Sequence, residues 1–159
     1  MNTSSKITTK ESLLEILPEW KKQGKIVFTN GCFDILHLGH VDYLEKARNL
    51  GAKLILGLNT DHSIQKIKGP QRPVTDQNSR ARVMASMEFV DAVILFDEDT
   101  PFDLINELKP DILVKGDDYT VENIVGSDIV LKNGGSVETI PLVKGYSTTN
   151  VIEKVKKLN

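Results

Sequence analysis

Thr29-Asn30-Gly31-Cys32-Phe33-Asp34-Ile35-Leu36-His37-Leu38-Gly39-His40 follows an apolar run of strand length, Lys25 to Thr29, and leads into a helical pattern in which Val41, Leu44 and Ala47 share one face. Gly31 permits a close backbone turn. His37, Gly39 and His40 fall where the helix begins, so imidazoles and free amides face one point, an anion site. A spacing of three puts both rings on one side of the first turn, and Gly39 leaves room for a phosphate to approach the backbone. A bare His-x-x-His pair reads equally well as a cap or a metal pair. Zinc, however, needs a third protein ligand, and the only other histidine is His62 while the single cysteine, Cys32, lies in the same turn. No metal ligand is therefore assigned.

Outward from this turn the pattern repeats. Further apolar runs occur at Lys53 to Leu58, Ala92 to Phe96, Asp111 to Val114 and Val137 to Leu142, which makes five expected strands. Between them lie helical patterns: one with Val83, Met84 and Met87 on a face, and one opened by Pro101 ahead of Leu104, Ile105 and Leu108. A third, Ile129 to Lys132, stops at Asn133-Gly134-Gly135, and Ser147 opens a last helix through Val151, Ile152 and Val155. Near-continuous apolar strands alternating with helices predict an α/β fold: a Rossmann-like sandwich with a five-stranded parallel sheet, binding ligands beyond the carboxyl ends of its strands. Ahead of it, Thr8 and Glu11 stand at capping-box spacing before Leu13, Leu14 and Leu17. Residues 1–24 thus read as a helical extension, interrupted or ended near Pro18 and closed by Gly24, and residues 25–159 as one domain. The polar stretch Lys66 to Asn78 reads as a long loop able to close over a ligand.

The 159 residues carry a formal net charge of -2, so neither nucleic acid nor an anionic membrane is an expected partner, and anionic ligands need locally placed cations. No apolar signal core follows Met1, and nothing approaches the ~20 apolar residues of a membrane span, so a cytoplasmic location is expected. Lys115-Gly116-Asp117-Asp118-Tyr119 ends the fourth strand with a cation, a flexible turn and two carboxylates at the ligand edge of the sheet; Lys115, Gly116 and Asp118 are candidate ligand contacts. Lys144-Gly145-Tyr146-Ser147-Thr148-Thr149-Asn150 opens the last helix. Ser147 is its expected N-cap, and with Thr148 it forms a second anion-binding helix end.

Asn30-Gly31-Cys32-Phe33-Asp34 followed by His37-Leu38-Gly39-His40 resembles the signature of the cytidylyltransferase-like nucleotidyltransferases. More closely, Ile26 to Val155 resembles the adenylyltransferase half of the bacterial enzymes that make ADP-heptose. Phe28 to Asp34, Arg72-Pro73-Val74, Lys115 to Tyr119 and Gly145 to Thr149 carry that likeness. The resemblance implies transfer of the adenylyl group of ATP to D-glycero-D-manno-heptose 1-phosphate. It places Thr29, Asn30, Gly31, Phe33, His37, Gly39, His40, Arg80, Lys115, Gly116, Asp118, Ser147 and Thr148 at the nucleotide, and Asp34, Lys66, Lys68 and Arg72 at the acceptor. His37, His40, Lys68 and Arg80 are the expected catalytic groups. It also implies Mg²⁺ travelling with ATP, a homodimer, and a separate sugar kinase supplying the acceptor. The arginine that begins the second signature of cytidylyl-transferring members is missing, with Leu142 near its place, which disfavours cytosine. A cytidylyltransferase acting on glycerol phosphate or a phospho-alcohol, and a nucleotide-binding regulatory module without turnover, are the alternatives.

Overall fold

The computed structural model describes residues 2–158 and holds one five-stranded, all-parallel sheet in the order β3-β2-β1-β4-β5. The strands are β1 (Ile26–Gly31), β2 (Lys53–Asn59), β3 (Ala92–Phe96), β4 (Ile112–Gly116) and β5 (Ser136–Ile140). The helices are α1 (Lys10–Gln23), α2 (Leu38–Arg48), α3 (Asp61–Lys68), α4 (Gln77–Ser86), α5 (Phe102–Leu108), α6 (Ser127–Lys132) and α7 (Thr148–Lys156).

The alternation of side chains along β1 divides the core. Val27 faces a layer with Leu44 and Ala47 of α2 and Ala81 and Met84 of α4, whereas Ile26 and Phe28 face Leu13 and Leu17 of α1, Leu104 of α5 and Val130 of α6. Helices on both faces explain why the inner strands read as unbroken apolar runs. The chain winds outward from β1 through β2 to β3, then returns to the other side of β1 with β4. The carboxyl ends of β1 and β4 therefore part at a topological switch point, where such sheets open a crevice.

Four details differ from the sequence reading. Thr9, not Thr8, caps α1 by accepting from the Ser12 amide. That helix continues through Pro18 to Gln23, because the buried Leu13 and Leu17 anchor it while Pro18 lies on the exposed side, where water can serve the carbonyl left without a donor. In α4 the inward face is Arg80, Ala81, Met84 and Ala85, and Val83 is exposed. Finally α3 (Asp61–Lys68), a helix absent from the sequence reading, carries Lys66 and Lys68 on its last turn, and the connection to α4 is only Gly69 to Asp76. Among the described residues no helix is long and apolar enough to cross a membrane.

Candidate active site

A cleft of about 620 Å³ opens at the switch point, lined by the turn after β1, the end of β4, the last turn of α3 and the start of α7. Its floor is the turn after β1. Phe33 adopts φ 45°, a left-handed conformation that a bulky residue holds only when its surroundings impose it. The ring packs under Gly31, where a Cβ would come within 2.8 Å of it, and lies 5.1 Å from the His40 ring. Gly31 is thus required by close approach.

His37 caps α2 without a side-chain bond, so its ring is free, and the His37 and His40 rings stack with centroids 3.8 Å apart. Both Nδ1 atoms and Asn30 Oδ1 are buried without hydrogen-bond partners. Buried unsatisfied polar atoms in one place call for a ligand that satisfies them. Burial lowers the His37 pKa, and burial with the nearby charges of His37 and Lys68 drops His40 to about 4. Two stacked imidazoles beside an ammonium are therefore neutral at pH 7 until an anion arrives. Gly39 forms the shelf between them and Tyr146: a Cβ there would meet the His37 ring at 3.1 Å.

On the opposite lip stands Lys115. Burial lowers its pKa to about 8 against the opposing pull of Asp118, and its Nζ lies 5.5 Å from the centre of the Tyr119 ring. Gly116 lies close beneath the Asp118 and Leu142 side chains, where a Cβ would sit 2.5 Å from Asp118 Oδ1 and displace it. Ser147 caps α7 by accepting from the Asn150 amide, and Thr148 Oγ1 donates to the Ile35 carbonyl at 3.4 Å, which ties α7 to the turn after β1. Two helix N-termini, α2 and α7, thus bound the same cleft, and Leu142 lies on its wall.

The structure gathers Asn30, Gly31, Phe33, His37, Gly39, His40, Lys68, Lys115, Gly116, Asp118, Ser147 and Thr148 around this cleft. It withholds four expected contacts. Thr29 is fully buried, bonded to Tyr43 and to the Val114 carbonyl. Arg80 is buried as well, its guanidinium committed to the carbonyls of Thr75, Cys32 and Asn59 and to the Asp61 carboxylate, so it braces the loops instead of reaching a phosphate. Arg72 pairs with Asp34 at 2.8 Å, and Lys66, itself off the cleft lining, stands 3.7 Å from Asp99 on the cleft rim. Asp34 borders the cleft, but its carboxylate already accepts from Arg72 and the amides of Val74 and Thr75, which leaves little for an acceptor. Sequence reasoning missed Tyr43 and Asn59, both on the cleft wall. Tyr43 could have been found one helical turn beyond His40 on the same face.

The profile of the cytidylyltransferase-like family matches residues 28–154. Two relatives named bifunctional protein HldE, from Syntrophotalea carbinolica and Magnetococcus marinus, are 56% and 50% identical over 95% and 96% of this chain. The chain spans about a third (31%) of the length of either. A solved structure described as the lipopolysaccharide core biosynthesis protein from Thermoplasma volcanium is 31% identical, with TM-score 0.60, covering 78% of this chain and 99% of that one. Pantothenate synthetase from Thermus thermophilus has the same fold at 17% identity, with TM-score 0.63 over 96% of this chain and 70% of that one. With the paired histidines, the two helix N-termini and this profile on one cleft, the chain belongs to the cytidylyltransferase-like family and is a nucleotidyltransferase.

Proposed function

We propose that the chain transfers the adenylyl group of ATP to D-glycero-D-manno-heptose 1-phosphate, forming ADP-heptose for the heptose of the lipopolysaccharide inner core. One observation carries the nucleotide half of this reading: two stacked imidazoles, each with an unpartnered Nδ1, at the N-terminus of α2 in the cleft that the N-terminus of α7 also lines. The adenylyl choice is supported by apolar Leu142 in place of the arginine of cytidylyl-transferring members. The acceptor is supported by the resemblance along Lys115 to Tyr119 and Gly145 to Thr149, and by the lipopolysaccharide core role in the name of the Thermoplasma volcanium relative.

In the reaction a phosphate oxygen of the sugar phosphate bonds to the α-phosphorus of ATP, and the bond to the β-phosphate oxygen breaks with its electron pair leaving on pyrophosphate. The nucleophile is already an anion at neutral pH, so alignment and charge neutralisation carry the rate, with no general base required. His37 and His40 donate to the α- and β-phosphates, Lys115 and the Ser147-Thr148 helix end take the β- and γ-phosphates, and Lys68 holds the acceptor phosphate. A Mg²⁺ ion arriving with ATP would be held mainly by phosphate oxygens. Such an ion neutralises charge on the triphosphate. We extend the reading to a cytoplasmic homodimer whose acceptor is made by a phosphate-transferring kinase.

A pyrophosphate-release panel crossing ATP, CTP and GTP with heptose 1-phosphate, glycerol 3-phosphate and phosphocholine tests this reading. Turnover with ATP and heptose 1-phosphate is expected; turnover only with CTP overturns it. His40→Ala lowers kcat by about a hundredfold or more, and near wild-type turnover would remove His40 from the chemistry.

A further inference from the structure

The backbone ladder between β1 and β4 is short. Only Val27 with Ile112 and Phe28 with Leu113 pair, whereas β1 and β2 stay paired from Ile26 to Gly31. The next pair in register would be Thr29 with Val114, and there a side chain takes over: Thr29 Oγ1 donates to the Val114 carbonyl at 3.0 Å. That bond uses the only proton of the Thr29 hydroxyl, so the second contact, 2.7 Å to the Tyr43 hydroxyl, must be donated by Tyr43. Tyr43 and Thr29 are both buried. A directed chain of two hydrogen bonds therefore runs from α2 through β1 to β4, where the two strands separate into the lips of the cleft. Tyr43 stands one helical turn beyond His40, and Val114 immediately precedes Lys115.

We infer that Tyr43 is a positioning residue: through Thr29 it fixes the spacing between the His37–His40 turn on one lip and Lys115 on the other. Buried polar chains hold such spacings because each broken link leaves an unsatisfied partner. The inference rests on the nucleotidyl-transfer reading only for its kinetic test, since the spacing itself is readable without turnover.

The test compares Tyr43→Phe, Thr29→Val, the double variant and Thr29→Ser, assayed with whichever triphosphate and acceptor the wild type turns over. Tyr43→Phe and Thr29→Val each lower kcat about tenfold with the triphosphate KM within about twofold, the order expected from a slight misplacement of reacting groups. The double variant falls no further, because both changes cut the same chain, and Thr29→Ser, which keeps the hydroxyl, retains most of the rate. Independently of turnover, NMR titration of the ring of His40, which faces His37, Phe33 and Lys68, shows a midpoint moved upward from about 4 in both single variants as its setting loosens. Wild-type kcat with only a lower Tm, a loss confined to KM, multiplied losses in the double variant, or an unmoved His40 titration would each overturn the inference. Should Tyr43→Phe fail to fold, Thr29→Val against Thr29→Ser decides alone.

Discussion

Asp34 belongs to the segment that reads most clearly as substrate machinery, yet its carboxylate is 1% exposed and holds the loop before α4 through Arg72, Val74 and Thr75. Burial pushes its pKa up, but those two amides and the guanidinium outweigh burial and keep it below the ordinary carboxylate range. Removing one partner of a buried, hydrogen-bonded pair costs about 3 kcal/mol or more, so Asp34→Ala lowers Tm by about 10 °C in a chain of this size. Thermal unfolding followed by circular dichroism checks this; an unchanged Tm with a raised acceptor KM would return Asp34 to the acceptor. His40 acts in the opposite sense, as a buried group kept neutral. Its folded pKa, about 4, lies below the value of about 6.5 for an unfolded histidine, so the unfolded chain binds the proton first as pH falls. The stability it protects is complete above pH ~6.5 and drains away toward pH 4. Between pH 7 and pH 5 Tm should fall by about 3 °C after allowing for solvent screening, and His40→Asn should flatten that slope. Asp34 contributes little slope there, because its loss begins only as pH falls into the ordinary carboxylate range, where the unfolded chain takes up the proton first.

At the level of elements, β1 to β4 were legible because each is largely a run of apolar side chains whose burial does not depend on which helix covers it, whereas the edge strand β5 carries exposed Glu138 and Thr139 and shows only through Val137 and Ile140. Pro101 and Ser147 marked helix starts by local chemistry that the fold preserves. What stayed hidden depended on partners distant in sequence. Arg80 reads as a triphosphate contact on a helix start, and only the meeting of Cys32, Asn59 and Thr75 carbonyls makes it a buried brace. Lys66 and Lys68 look like loop residues because Gly69 and Pro70 follow, but Ile64 anchors α3 in the core and carries the helix to Lys68. The turn after β1 was legible as a site because its chemistry is contiguous, whereas the wall built by Tyr43 and Asn59 was not. Helix α7 gives this scale its own prediction. None of its residues is buried, so its first turn depends on the Ser147 cap and the Thr148 link to Ile35. Ser147→Ala removes about 1 kcal/mol of cap. The loss should appear as faster amide exchange confined to residues 148–156 and a raised triphosphate KM, with global Tm nearly unchanged. A fall in Tm like that of Asp34→Ala would mean that α7 is part of the cooperative core.

For the whole molecule the governing fact is a net charge of -2 around a cleft built for polyanions. Attraction is local, from Lys68, Lys115 and two helix N-termini, and burial holds the lysine on β4 and the stacked imidazoles below their ordinary proton affinity. A triphosphate entering the cleft reverses that balance: opposite charge a few ångströms away favours the protonated form. Binding and proton uptake are then linked, and the pH at which each group contributes follows from its starting value. Because burial lowers the Lys115 pKa to about 8, binding a triphosphate near pH 8 should draw in a fraction of a proton; near pH 6, uptake should come from His37 and His40. Calorimetric titration with ATP in two buffers of different ionisation enthalpy measures this count directly. Lys115→Met should abolish the uptake at pH 8 and leave that at pH 6, while His40→Asn should leave the uptake at pH 8 and reduce that at pH 6 to the share of His37. A binding enthalpy independent of buffer at both pH values would mean that the triphosphate does not sit between the two lips, and the charge logic of the cleft would have to be redrawn.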